Sequence, residues 1–284
     1  MFLVTGATGT VGRAVIDRLL AADLPVRAIT RRPESADLPT GVEVVRADLG
    51  DPGSLPAALA GVRRVFLSTS GTEIPEHDAN LATAAAAAGV ERLVKLSSGR
   101  AGDAAATDPI PSWHRAGEAA VRASGVDWTM VRPMGFMSNA LHWSYSIRES
   151  ATVRAPFGQG RIAVIDPFDI AVVSAAALTE PGHAGKVYTL TGPRALSPGE
   201  QTEVLAEIIG RPLRFEEISP EAAEADLLRF GVDPEMASAI MALRAMALES
   251  FTSVVHPTVA EVTGRSPRTF QEWALENKGQ FTAA

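Results

Sequence analysis

Three glycines, Gly6, Gly9 and Gly12, follow the apolar run of residues 2–4 at a spacing of three. Behind them Val15, Ile16, Leu19 and Leu20 recur on one face of a helical pattern. A strand, a glycine-rich turn and a helix make a cradle for a pyrophosphate. Gly6 allows the tight turn, Gly9 lets the backbone approach the ligand, and Gly12 brings the helix onto the strand. Thr8, Thr10 and Val11 fill out the turn. The phosphates then meet free N–H groups and the positive end of the helix dipole. This segment predicts a dinucleotide site.

Other residues that could do chemistry stand where further strands end. Arg31 and Arg32 follow a strand over residues 25–30. At that position of a dinucleotide fold an acid would bind the 2′-hydroxyl of NAD, whereas an arginine accommodates the 2′-phosphate of NADP. No acid ends this strand, so NADPH is the expected cofactor, with Arg31 the nearer contact. Asp48, with Leu49 beside it, follows a strand over 42–46. It either bonds the adenine amino group or caps the helix after Pro52. Ser68, Thr69, Ser70 and Gly71 follow a strand over 64–68, and their small size would let the nicotinamide half lie near the backbone. Ser97 and Ser98 end a strand over 93–97. Either hydroxyl could bond a substrate oxygen, and turn chemistry alone would also place serines there. Pro133 closes a strand over 128–132 and is assigned to the cofactor.

The elements that position these residues alternate. Helical patterns over 52–60, 75–89 and 109–125 separate the strands, two of them ending at glycine. The alternation predicts a Rossmann-type α/β fold, a doubly wound parallel sheet. The run 82–88, six alanines and a threonine, reads as a tightly packed helix face because it ends at Gly89 and feeds a strand. From residue 134 the rhythm changes. Strand-like pieces at 161–165 and 186–190 mix with helices at 197–209, 220–230, 234–248 and 267–277. The expected division is a cofactor-binding domain at 1–133 and a smaller α/β substrate lobe at 134–284, interleaved with the sheet. Gly71, Trp113, Met134, Phe136, Met137, Asn139 and Trp143 are expected to line an apolar pocket for a flat substrate. Met236, Met241 and Met246 fit core packing better than a pocket.

Composition bounds the function. The 284 residues are 46% apolar, enough for a large core, with a net charge of −7 that argues against a nucleic-acid binder. The absence of cysteine removes disulfides, thiolate nucleophiles and thiolate-bound zinc. The five histidines are scattered, so no metal site is expected. No signal peptide precedes the first strand and no apolar run reaches membrane-spanning length, so the expectation is a cytoplasmic monomer or homodimer.

The variant spacing Thr5-Gly6-Ala7-Thr8-Gly9-Thr10-Val11-Gly12 resembles the short-chain dehydrogenase/reductase superfamily in its extended and atypical branches. The run from Ser124 to Asn139, the His114 and Glu118 pair, the segment 166–171 and the tail 263–270 resemble its NmrA-like atypical group. Within that group the likeness is to bacterial quinone reductases and triphenylmethane-dye reductases, and it covers nearly the whole chain. Members include quinone and azo-dye reductases, enzymes of secondary metabolism, and regulators that only sense NADP. The superfamily's Tyr-x-x-x-Lys pair is missing. Its places fall on Ile110 and His114, and neither Tyr145 nor Tyr188 has a lysine four residues on. The resemblance implies an NADPH-dependent reductase of a quinone-like or otherwise conjugated, hydrophobic small molecule, with a non-catalytic redox sensor or a non-redox enzyme as the alternatives. His114 is the remaining candidate acid, since an ordinary histidine titrates near 6.5; it could equally be structural, bonded to Glu118.

Overall fold

The computed structural model describes residues 1–103 and 105–282. Along the chain the first elements are β1 (Phe2–Val4), α1 (Thr10–Ala21), β2 (Val26–Thr30), β3 (Val42–Arg46), α2 (Leu55–Leu59), β4 (Arg64–Leu67), α3 (Ile74–Ala87), β5 (Arg92–Leu96), α4 (Pro109–Ala123) and β6 (Asp127–Pro133). Then come α5 (Ser144–Ser150), β7 (Thr152–Ala155), α6 (Pro167–Thr179), β8 (Lys186–Leu190), α7 (Pro198–Ile209), β9 (Arg214–Glu217), α8 (Pro220–Arg229), α9 (Pro234–Ala245), α10 (Thr258–Thr263), α11 (Phe270–Glu276) and α12 (Lys278–Thr282).

Two compact units divide the chain. The first holds residues 1–107, 111–133 and 167–189. Its sheet runs β3-β2-β1-β4-β5-β6-β8, the strand order of a doubly wound Rossmann fold extended by one edge strand. β1 pairs in parallel with both neighbours, Phe2 lying opposite Val26 and Arg64. Leu3, Val4, Val65, Phe66, Leu67, Leu93 and Val94 are fully buried. Unbroken apolar runs of this kind are what a parallel sheet covered on both faces demands. Helix α1 buries Val11, Gly12, Val15, Ile16 and Leu19 and packs against α6. The approach of α1 to the sheet end is possible only because residue 12 has no side chain. A Cβ there would lie 2.2 Å from the Gly6 carbonyl oxygen. The alanine-rich α3 buries Leu81, Ala82 and Ala85 and packs against α2.

Helix α6 has no counterpart in the helical patterns read from the sequence. Pro167, Asp169, Ile170, Ala171, Val173, Ser174, Ala176, Ala177 and Leu178 are all buried, so the helix has no polar face to show a period. Residues 167–189 therefore return to the sheet after the chain has left it at 133.

The second unit holds residues 108–110, 134–166 and the chain from Leu190 onward. Met137, Ile147, Val153, Leu205, Phe270, Trp273 and Phe281 form its core. Trp273 stacks on Phe270 at 5.4 Å and meets Phe281 edge-on at 6.2 Å. β7 and β9 form a small parallel pair with Thr152 opposite Arg214. The expected strand at 161–165 does not form. Ile162 bridges to Leu196 and Ile165 to Phe136, so the segment changes partner before a ladder can extend. The expected helix from residue 267 starts at Phe270, where Thr269 and Glu272 make a reciprocal capping box. Asp166 and Arg268, from the two segments that carry the family resemblance, meet as an ion pair at 3.3 Å. Among the described residues no single helix is long and apolar enough to cross a membrane.

Candidate active site

Thr5 joins the ends of β1 and β4 just before the glycine turn. Its Oγ1 donates to the Ser68 carbonyl and accepts from the Ser68 N–H, each at 2.8 Å. The chain turns at Gly6 (φ +58°), and the Gly9 N–H donates to the Gly6 carbonyl at 3.0 Å. Gly9 is the N-cap of α1 in extended conformation, and no side chain caps the helix. The first N–H groups of α1 are thus left for a ligand. Thr8, Gly9 and Thr10 are exposed around them, with Val11 buried beneath. A dinucleotide fits this bare, uncapped turn.

At the end of β2, Arg31 and Arg32 are exposed. The neighbouring acids are already engaged. Glu34 holds Arg46 at 2.8 Å, Arg46 donates in turn to the Arg31 carbonyl at 2.7 Å, and Asp37 receives Arg13 at 3.7 Å. Neither Arg31 nor Arg32 has an acid on its guanidinium among the described residues. Asp48 accepts the Gly50 N–H at 3.0 Å, closing its own turn. The cap after residue 50 is Asp51, which accepts from Gly53 at 3.0 Å. Leu49 is half-buried, its carbonyl accepting from Asn80 at 2.9 Å.

Below the ends of β4 and β5 lies a set of buried charges. Lys95 of β5 is fully buried, and its Nζ meets the fully buried Asp78 carboxylate of α3. Asp78 also accepts from Thr69 Oγ1 at 2.7 Å. Gly117 of α4 lies against that carboxylate, so close that a Cβ would fall 1.9 Å from Asp78 Oδ2. The next residue, Glu118, is fully buried as well. It receives a two-pronged pair from Arg132 (Nε 2.7 Å, Nη2 2.6 Å), Arg122 at 3.0 Å and Ser97 Oγ at 2.6 Å. Burial alone would raise the Glu118 pKa. The hydrogen bonds from Arg132 and Ser97 and the charges of Arg132 and Arg122 outweigh it and hold the carboxyl below its ordinary value.

These contacts change the roles expected of two residues. Ser97 has one proton, and it goes to Glu118, so Ser97 is not free to donate to a substrate. Its neighbour Ser98 is half-buried at the start of a short 3₁₀ turn and stays available. His114 does not titrate near neutrality. Burial first, then the Lys95 charge, push its pKa down to about 3, against a smaller opposing pull from Glu118. Its Nδ1 is buried without a hydrogen-bond partner. At neutral pH it is a neutral imidazole that can take part in a hydrogen bond but carries no acidic proton. Ser68, Thr69 and Gly71 are half-buried and Ser70 is exposed; Trp113 is half-buried beside His114, and Pro133 is buried at the end of β6.

The expected pocket residues of the second unit separate. Met137 is 1% exposed and belongs to the core, and Trp143 packs against that core. Met134 and Phe136 are half-buried, while Asn139 is exposed. An apolar residue type alone does not distinguish core from pocket wall. The residues that sequence reasoning passed over are Lys95, Asp78 and Arg132. One signal was present: Lys95 interrupts an apolar strand, and a lysine there must find an acid.

A family described as NAD(P)H-binding matches residues 6–181. The chain belongs to that family. It is 46% identical over 282 residues, 99% of each chain, to the (4-alkanoyl-5-oxo-2,5-dihydrofuran-3-yl)methyl phosphate reductase of Streptomyces griseus. It is 39% identical over 289 residues, all of both chains, to the NAD(P)H azoreductase of Xenophilus azovorans. The solved NADPH complex of the Escherichia coli quinone oxidoreductase QOR2 superposes with a TM-score of 0.83 at 26% identity, over 97% of this chain and 99% of that one. These three proteins are named as reductases or an oxidoreductase, in keeping with the resemblance read from the motifs of this NAD(P)H-binding chain.

Glu118→Gln leaves two arginines facing a neutral amide, and a broken buried pair costs about 3–5 kcal/mol. The wild-type carboxyl is held low in the folded state. Its contribution is therefore present above the unfolded value of about 4.3 and is lost as pH falls through the lower folded value. Urea unfolding at neutral and at strongly acid pH checks this: the gap between wild type and variant narrows in acid.

Proposed function

We propose that the chain is an NADPH-dependent reductase of a small conjugated acceptor whose reduced form is a stabilised anion. The uncapped turn at Gly9 would hold the pyrophosphate, and Arg31 and Arg32 the 2′-phosphate. Bound NADPH supplies a hydride. The protein's own task is to orient the acceptor and to provide, or do without, a proton donor.

The reading rests on the proton donors beside β5. Ser97 is engaged by Glu118, and His114 is neutral. The tyrosines offer no replacement: the Tyr188 hydroxyl bonds His183 at 2.7 Å, and Tyr145 is exposed without a lysine partner. A simple ketone would pass through an alkoxide whose conjugate acid resembles water, with a pKa of about 15.7. That step needs a positioned acid. A quinone gives a phenolate with a pKa of about 10 by analogy with tyrosine. A carbon–carbon double bond with two carbonyls on one of its carbons takes the hydride at the other carbon and gives an enolate spread over both oxygens. Such anions take their proton from water. The furanone named for the Streptomyces relative has this second arrangement, with the lactone carbonyl and the alkanoyl group on the same carbon of the ring double bond. Ser98 and the neutral His114 then serve as hydrogen-bonding groups that orient the acceptor.

NADPH absorbance followed against quinones, an azo dye, a 2-acylbutenolide and simple ketones tests the reading. Oxidation with the conjugated acceptors and not with the ketones is expected; turnover of simple ketones, or of nothing, overturns it. Replacing Arg31 and Arg32 with alanine raises the NADPH Kd about ten- to hundredfold, the value of a charge-assisted hydrogen bond, and leaves NADH binding nearly unchanged. His114→Asn keeps the kcat/KM profile flat between pH 6 and 8 even where the rate falls, because the wild-type imidazole is already neutral there; loss of a limb near 6.5 would restore it as the acid.

A further inference from the structure

Thr69 stands just past the end of β4, half-buried. Two features place it beside the dinucleotide cradle. Its neighbour Ser68 is bonded through its backbone to Thr5, and a Cβ on Gly6 would fall 3.0 Å from Ser68 Oγ. The sheet order also sets β4 on the side of β1 away from β2 and its arginines. A dinucleotide with its adenosine half at the end of β2 and its pyrophosphate at the turn after β1 would carry its nicotinamide half over the ends of β4 and β5.

The Thr69 hydroxyl is already committed in one direction. Its single proton goes to Asp78 Oδ1 at 2.7 Å. Asp78 offers only lone pairs in return, because its carboxylate is paired with the Lys95 ammonium, and both side chains are fully buried. Buried pairs of this kind contribute little stability compared with apolar packing. What Lys95 and Asp78 supply is direction: the threonine proton is held toward α3, and only oxygen lone pairs remain for a ligand. β5 repeats the arrangement. Two residues past the pairing of Leu67 with Lys95, Ser97 gives its proton to Glu118 at 2.6 Å, and Glu118 is paired with Arg132 and Arg122. Two adjacent strand ends thus carry hydroxyls of the same polarity.

We propose that Thr69, set by the Lys95–Asp78 pair, accepts an N–H or O–H from the nicotinamide half of NADPH. The inference rests on the cofactor reading of the glycine turn and deepens it. Thr69 becomes a contact that reads a donor, and Lys95 and Asp78 become its positioning residues. The nicotinamide half has two sources of such a donor, the carboxamide N–H groups and the ribose hydroxyls.

The experiment measures the binding of three oxidised cofactors by calorimetry, where no turnover occurs. They are NADP⁺, its 3-acetylpyridine analogue, which keeps the carbonyl and loses the N–H groups, and an analogue without hydroxyls on the nicotinamide ribose. Thr69→Val is expected to lower the preference for NADP⁺ over one of the two analogues about two- to tenfold, the net worth of one hydrogen bond. The analogue affected identifies the donor. Thr69→Ser keeps the preference. Lys95→Met combined with Asp78→Leu preserves shape, removes both charges and frees the threonine proton; it lowers the same preference. Should that double variant not fold, the two Thr69 variants decide. A preference over both analogues that survives Thr69→Val or the double variant, or an equal loss of affinity for all three cofactors, overturns the proposal. Failure of the cofactor reading shows separately, as a wild type that binds none of the three.

Discussion

A carboxylate without water must have every oxygen bonded, and the Glu118 carboxylate meets that demand with Arg132, Arg122 and Ser97. The donors come from the end of β5, from β6 and from α4 itself. One buried side chain thereby fixes three elements around the place where β5 ends. The neighbouring Lys95–Asp78 pair does the same for β5 and α3, and through Thr69 for the end of β4. Buried ion pairs are weak sources of stability compared with apolar packing. They do impose one arrangement, since a shift of α4 along the sheet would strand at least one charge, and bare Gly117 leaves little room for such a shift.

The same charges govern what the site can do with protons. Lys95 helps keep His114 neutral, and Glu118 takes the Ser97 proton. Under the proposed function, a site organised in this way would favour acceptors that bear their own negative charge once reduced. In that reading, the burden of catalysis would fall on orientation rather than on a protein acid.

Much of this was legible in the sequence, and the exceptions have common causes. The glycine turn, the strands up to β6 and the arginines after β2 are local features, set by spacing within a few residues. Lys95 and Asp78 lie far apart in sequence, and Asp78 on a helix looks like any solvated acid until α4 covers it. Helix α6 escaped notice because burial on all sides erases the period by which a helix is read. The segment 161–165 is apolar enough for a strand but finds two different partners within four residues. Met137 was expected in a pocket and packs in a core, since the same residue type suits both. The titration of His114 depended on burial and on a lysine from another strand, neither of which a motif reports.

Helix α6 packs on α1 and touches β4, β5 and β6, yet it is encoded after an excursion through residues 134–166. During synthesis the strands that it covers therefore leave the ribosome well before their lid. Until about residue 189 has emerged, the nascent sheet has an apolar face and lacks its last edge strand, β8. Such a chain offers sticky surface to its neighbours on a crowded polysome. Efficient production would then depend on how quickly that intervening stretch is translated, and a holdase that shields the half-finished sheet would raise yield without touching the stability of the finished protein.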